Sequence, residues 1–176
     1  DPGAGRVPTA AAAAAALARR VLGHRAAEIS FEAIPAEAGA VGEAPRDVFE
    51  LEARGGRCAV RGNTGVSMAA GLGWYLKHHC LASVSWAGDQ LDLPRPLPDA
   101  PRTRRASPHP HRYQFNYCTF SYSMPWWDWA RWEREIDWMA LRGIAMPLAV
   151  TGQEAIWRKV CRDLGLTDEE IDAFLV

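Results

Sequence analysis

Six prolines (Pro94, Pro96, Pro98, Pro101, Pro108 and Pro110) fall within residues 93–111, and they constrain this chain more than any other feature. Proline has no N–H to donate and clashes with the preceding helical turn, so neither a helix interior nor a central strand runs through such a stretch. The segment reads as a stiff, exposed connector separating residues 1–92 from residues 112–176. Its basic run Arg102-Thr103-Arg104-Arg105 offers either an anion contact or a solvated linker face, and the second is preferred because three arginines make only a small field.

Before the connector the pattern is that of a small α+β domain. Alanine-rich residues 9–24 carry an apolar edge of Leu17, Val21 and Leu22 and end at Gly23, which predicts a helix. Residues 29–33 alternate apolar and polar, the period of a half-buried strand, and Pro35 stops them. A loop rich in Gly, Ala and Pro follows. Residues 47–61 read as a hairpin turning at Gly55-Gly56. Opposing Arg54 to Arg57 then pairs Ala53 with Cys58, Leu51 with Val60 and Glu50 with Arg61, so that turn and side-chain alternation agree. Asn63 or Thr64 caps a helix in which Met68, Leu72, Leu76 and His79 recur at helical spacing. Within it, Gly71 and Gly73 are read as packing positions. Residues 84–86 suggest another short strand.

After the connector the pattern becomes β, α, β. Residues 113–119 are aromatic-rich and strand-like. Trp129, Trp132, Ile136, Met139 and Ala140 trace an expected core stripe on a helix that begins after Asp128 and stops at Gly143. Glu133, Glu135 and Asp137 fall off that stripe and read as surface charges, with Arg131 and Glu135 at pairing distance. Residues 144–150 form a nearly continuous apolar run, as in a strand buried on both faces of a parallel sheet, although Pro147 conflicts with that reading. Two further helices are expected over 154–164 and 167–175, the second with a capping box from Thr167 to Glu170. A βαβ unit needs cover on both faces, and a (β/α)₈ barrel takes ~250 residues. The fold class expected is therefore an α+β N-terminal domain followed by the first β/α units of an incomplete (β/α)₈ (TIM) barrel.

Composition narrows the function. Twenty Lys plus Arg against 21 Asp plus Glu give a net charge of −1, which argues against nucleic-acid and polybasic membrane partners. With 48% hydrophobic and 23% charged residues the chain reads as globular, and no apolar run approaches a membrane span of ~20 residues. The start Asp1-Pro2-Gly3, without Met, suggests a processed or truncated product. The four cysteines Cys58, Cys80, Cys118 and Cys161 are widely spaced and read as small buried hydrophobes. His78-His79-Cys80 lies at a helix end, where histidine suits the dipole, so neither metal nor cofactor is called for.

On a parallel α/β scaffold the chemistry gathers where strands end. Here those places hold Asn116, Cys118, Thr119, Phe120, Ser121 and Tyr122 with Trp126 and Trp127, and then Thr151, Gly152, Gln153 and Glu154. Amide, hydroxyl and phenol groups beside indoles suit a sugar, whose hydroxyls need oriented partners and whose C–H faces pack on rings. Core packing is the competing reading for each tryptophan.

Residues 116–123, Asn-Tyr-Cys-Thr-Phe-Ser-Tyr-Ser, and the Trp-rich run 126–140 resemble glycoside hydrolase family 89, the alpha-N-acetylglucosaminidase family. Gly152-Gln153-Glu154-Ala155-Ile156-Trp157 is similar to that family's next block, and Arg61-Gly62-Asn63-Thr64-Gly65-Val66, Trp86-Ala87-Gly88 and residues 93–98 resemble its N-terminal domain and connector. Ala145 departs from the asparagine expected after Gly143-Ile144. The resemblance implies a retaining hydrolase that removes terminal alpha-linked N-acetylglucosamine from heparan sulfate in the lysosome, using two glutamates of later barrel strands. This chain would then be a fragment of it, inactive alone, with no catalytic residue of its own. Asn116, Cys118 and Tyr122 would line the N-acetylglucosamine site, joined by Glu154. Its partners would be heparan sulfate, or another N-acetylglucosamine-terminated glycan, and the remainder of the barrel. The alternative is a non-catalytic carbohydrate-binding or interaction module made as a short chain.

Overall fold

The computed structural model describes residues 7–36, 45–149 and 151–175. The loop expected after Pro35 falls largely outside them, as does Val150. One compact unit comprises the chain up to Gln114 together with Asp128–Met146, and a second comprises Phe115–Trp127 with the residues from Pro147 onward.

The first unit is built on a four-stranded sheet. Helix α1 (Ala10–Leu22) starts where the Thr9 side chain accepts from the Ala12 N–H at 3.2 Å and stops at Gly23, whose φ of 56° ends the helix. A 3₁₀ turn leads to β1 (Ile29–Ala33), which lies parallel to β3 (Arg57–Gly62). Strand β2 (Val48–Arg54) pairs antiparallel to β3 in the expected register, Leu51 opposite Val60 and Ala53 opposite Cys58. Helix α2 (Gly65–His78) opens with a reciprocal capping box between Thr64 and Ser67. Leu51, Val60, Met68, Leu72 and Tyr75 are fully buried and form the centre of the core, with Leu17 and Leu22 of α1 in the same cluster.

The expected exposed connector is instead built into this unit. Leu93, Leu97 and Ala100 are buried, Arg25 donates to the carbonyls of Leu93 (3.2 Å) and Pro94 (3.0 Å), and the Tyr75 hydroxyl donates to the Pro98 carbonyl at 2.6 Å. Proline carbonyls that no ladder uses are thus satisfied by side chains. Residues 100–106 then form β4 (Ala100–Ala106), an edge strand beside β2 in the order β1-β3-β2-β4. Only Pro101 lies within it, and an edge tolerates proline. The arginine run is therefore a strand. Arg102 (2.6 Å) and Arg104 pair with the buried Glu50, whose cross-strand neighbour Arg61 pairs with Glu32 of β1 at 2.8 Å. The hairpin register holds, but the charge partners come from the outer strands. Residues 84–86 are no strand; a single bridge joins Ser83 to Gln90 around a turn.

Helix α4 (Trp129–Leu141) packs on α2, following β5 (Tyr113–Gln114) and α3 (Thr119–Tyr122) in the chain. A Cβ on Gly73 would lie 2.2 Å from the Leu141 carbonyl oxygen, and one on Gly71 would lie 2.8 Å from Val60 Cγ1. These two glycines let α2 lie close to the sheet on one side and α4 on another. Glu135 and Asp137, expected at the surface, are 1% and 4% exposed. Asp137 accepts from Arg20 Nε and Nη2, both at 2.6 Å, while Glu135 accepts from Trp86 Nε1 at 3.2 Å and Arg131 at 3.0 Å. Arg134 pairs with Asp89 at 2.8 Å. The expected core stripe divides accordingly: Met139 is buried, whereas Trp129 and Ile136 are exposed. Ion pairs, which periodicity does not register, select the face that α4 presents to the domain.

The barrel-like strands are shorter than expected. β5 pairs with β6 (Met146–Pro147), and the N–H groups of Ala145 (3.1 Å) and Met146 (3.0 Å) both donate to the Arg112 carbonyl. Residues 145–147 are exposed, not buried on both faces. Phe115 ends β5 with φ at 77°, a left-handed conformation that breaks the ladder. In the second unit, α5 (Gln153–Asp163) and α6 (Asp168–Phe174) pack together around Ile171, and Thr167 caps α6 through its box with Glu170.

Candidate functional site

The turn at Phe115 decides how the first set of candidate residues is displayed. Phe115 is buried, with its ring centroid 6.1 Å from that of Phe120 at 70°, which holds the turn against α3. Asn116 therefore lies on a loop and not on a strand, and the alternation that would turn Asn116 and Cys118 to one face does not apply. Asn116 Oδ1 accepts from the Thr119 N–H at 3.1 Å and from Thr119 Oγ1 at 3.2 Å, nucleating α3. Its Nδ2 group makes no hydrogen bond among the described residues, so the side chain is oriented by one end and open at the other.

Cys118 precedes α3 and is exposed, and Tyr122 is the last residue of α3 with 82% of its surface exposed. Tyr117 and Trp126 are also exposed. Within eleven residues the loop thus presents an amide, a thiol, two phenols and an indole. The aromatic rings offer faces to sugar C–H groups, and the amide and phenols offer hydrogen bonds to hydroxyls. Tyr117, which the sequence reading quoted in the motif but did not name as a candidate, is exposed on the same loop.

Glu154 stands in the first turn of α5, behind Gly152, whose φ is 89°. It is exposed, at the positive end of the helix, and no hydrogen bond among the described residues joins it to Asn116, Cys118 or Tyr122. The first three candidates thus share one loop, and Glu154 belongs to another. Other acids of this unit are engaged: Asp168 pairs with Arg162 at 2.7 Å, Asp172 with Arg158, and Glu170 closes the α6 cap. Glycoside hydrolysis needs two carboxyl groups facing one bond. The described residues of this unit bring no such pair together at the candidate loops. Among them no three His, Cys, Asp or Glu side chains converge as a metal site would require, and no helix is long and apolar enough to cross a membrane.

A cavity of about 510 Å³ lies elsewhere, in the first unit, between α2, β4 and the segment that leads to β5. It shares no residue with the candidate loops.

Comparison with known proteins matches the chain to two family models. Residues 12–99 match the N-terminal domain of the alpha-N-acetylglucosaminidase family model, and residues 112–176 match its TIM-barrel domain. Human alpha-N-acetylglucosaminidase is 51% identical over 167 residues, 93% of this chain and 22% of the human protein. A family 89 glycoside hydrolase from Clostridium perfringens, solved in complex with PUGNAc, is 34% identical over 92% of this chain with a TM-score of 0.79. A variant of the Clostridium perfringens enzyme with two glutamates replaced by glutamine, solved with its substrate GlcNAc-alpha-1,4-galactose, superposes with a TM-score of 0.81. The chain spans 18% of each of these bacterial chains.

Proposed function

Because the chain belongs to the alpha-N-acetylglucosaminidase family, glycoside hydrolase family 89, we propose that it supplies the N-terminal domain and the opening β/α units of a (β/α)₈ barrel in a retaining hydrolase. The substrate of that hydrolase is terminal alpha-linked N-acetylglucosamine on heparan sulfate, and its compartment is the lysosome. In this reading residues 1–92, with the segment 93–106 that is built into their sheet, make up the N-terminal module, and residues 112–176 begin the barrel.

The observation that carries this reading is the aromatic and amide loop 116–126, which follows the first strand of the segment matched by the barrel model. Barrel enzymes place their chemistry after the C-terminal ends of strands. In the proposed site the open Nδ2 of Asn116 and the Tyr122 phenol hydrogen-bond the sugar, Cys118 lines its edge and Trp126 packs on its ring. Glu154 adds an acceptor from the next loop. Retention requires a nucleophile and an acid/base ~5 to 5.5 Å apart. We place both on later barrel strands, so that residues 1–176 alone do not turn over substrate.

The test is hydrolysis of an aryl alpha-N-acetylglucosaminide by the complete protein, with the first-formed anomer read by NMR. The alpha anomer is expected. Formation of the beta anomer would overturn retention, and turnover by the purified 176-residue chain would show that the carboxylates lie among these residues.

A further inference from the structure

The cavity in the first unit carries more charge than the chain around it. Its lining includes Lys77, Arg105, Arg112 and Arg142 but one acid, Asp47. Arg112 neutralises that acid and also donates to the carbonyls of Gly143 and His109, so it forms a closed wall. Lys77, Arg105 and Arg142 have no carboxylate partner among the described residues. Three uncompensated cations thus face one concavity in a chain whose net charge is −1.

Aromatic rings hold two of these cations in place. The Arg105 guanidinium lies 3.9 Å from the centroid of Trp74, and that ring is itself packed 4.0 Å from His78. Arg142 lies 5.5 Å from the centroid of Trp138 and donates to the Val84 carbonyl at 3.0 Å. A guanidinium held over a ring face can still donate its N–H groups to an oxyanion. Lys77, exposed in the last turn of α2, adds a mobile point charge at the rim. The volume suits one or two sugar rings by the ordinary range of ligand sites. In the chain, Arg105 and Arg112 precede β5 and Arg142 precedes β6, whereas the candidate sugar loops follow those strands.

We propose that this cleft is a second saccharide site, separate from the loops that follow β5, which holds a sulfate group of an anionic glycan between Arg105, Arg142 and Lys77. The demand for an anion comes from the cleft, and the choice of a glycan to carry it rests on the glycosidase reading.

The experiment is titration calorimetry of the complete protein with a heparin-derived, fully sulfated tetrasaccharide, while an N-acetylglucosamine-type inhibitor saturates the sugar pocket. Saturable binding that weakens as salt rises is expected. Arg105→Gln and Lys77→Gln, both at exposed positions, should each weaken it roughly tenfold with an unchanged melting temperature. Both variants should hydrolyse a neutral aryl N-acetylglucosaminide at the wild-type rate. Absence of binding, equal binding by Arg105→Gln, or equal binding of the desulfated tetrasaccharide would overturn the proposal. Inorganic sulfate binding as tightly as the tetrasaccharide would overturn its saccharide component. Loss of hydrolysis in every protein with sulfated binding retained would instead count against the glycosidase reading alone.

Discussion

Replacing Gly73 by alanine places a methyl group 2.2 Å from the Leu141 carbonyl oxygen, where ordinary contact begins at 3.4 Å. The obstacle is backbone and cannot rotate away, so α4 must withdraw from α2 by about 1 Å. Withdrawal loosens Leu141 and Met139, both buried, and stretches the 2.6 Å hydrogen bonds from Arg20 to Asp137. Overpacking of this kind costs about 1–3 kcal/mol, here toward the upper end, against a helix-propensity gain for alanine of about 1 kcal/mol. Gly73→Ala should therefore destabilise the chain by about 2 kcal/mol. Gly65→Ala is the control, because its Cβ would meet Ala10 O at an ordinary 3.5 Å and, at the first position of α2, its stability should change little. Equilibrium urea unfolding of both variants gives the comparison as a shift in midpoint at constant slope. A Gly73→Ala chain as stable as Gly65→Ala would refute the close approach of the two helices.

Three further outcomes follow from burial and charge. Burial, with Cys80 nearby, pushes the Cys58 thiol up to about 12, and burial also raises Cys80; iodoacetamide should label the exposed Cys118 in the folded chain and these two only in denaturant, as read by peptide mass. The Arg102 hydrogen bond, opposed by burial and aided by Arg104, holds the Glu50 carboxyl below the usual range, so its contribution is present above the unfolded pKa near ~4.3 and is lost as pH falls through the lower folded value. Glu50→Gln should thus be less stable than wild type at neutral pH, the difference narrowing below about pH 4 in melting curves. Trp129→Ala should change the unfolding free energy of this chain by no more than about 0.5 kcal/mol, because that ring is 69% exposed; a larger loss in urea titration would place the ring in the core.

What could be read from the sequence was local. The Gly55-Gly56 hairpin, the Thr64 and Thr167 caps and the stop at Gly23 depend on neighbours within a few residues, and each took its expected place. Pairings across long separations were not legible. Nothing local says that Arg102 and Arg104 serve Glu50 or that Arg20 serves Asp137, and without those partners the arginine run resembled a linker and the acids of α4 a solvated face. The strands after residue 112 were misjudged for a related reason: an apolar run lengthens into a ladder only where neighbouring strands pair with it, and here β5 and β6 have each other. For the candidate site, residue type identified Asn116, Cys118 and Tyr122, but their display depends on a positive φ at Phe115, which no residue preference announces. The basic cleft escaped the sequence reading because its cations come from α2, β4 and the end of α4.

The most direct test of the sugar-site assignment is the steady-state kinetics of Asn116→Ala and Tyr122→Phe in the complete protein, measured beside their melting temperatures. Removing a hydrogen-bond partner from a closed site costs on the order of 1 to 3 kcal/mol, so kcat/KM for an aryl alpha-N-acetylglucosaminide should fall roughly ten- to a hundredfold. The Tyr122 phenol is exposed and Asn116 supports only the short α3, so melting should change little in either variant. Wild-type kcat/KM in both variants, or a loss of activity that merely tracks a lowered melting temperature, would contradict the assignment of these residues to the sugar.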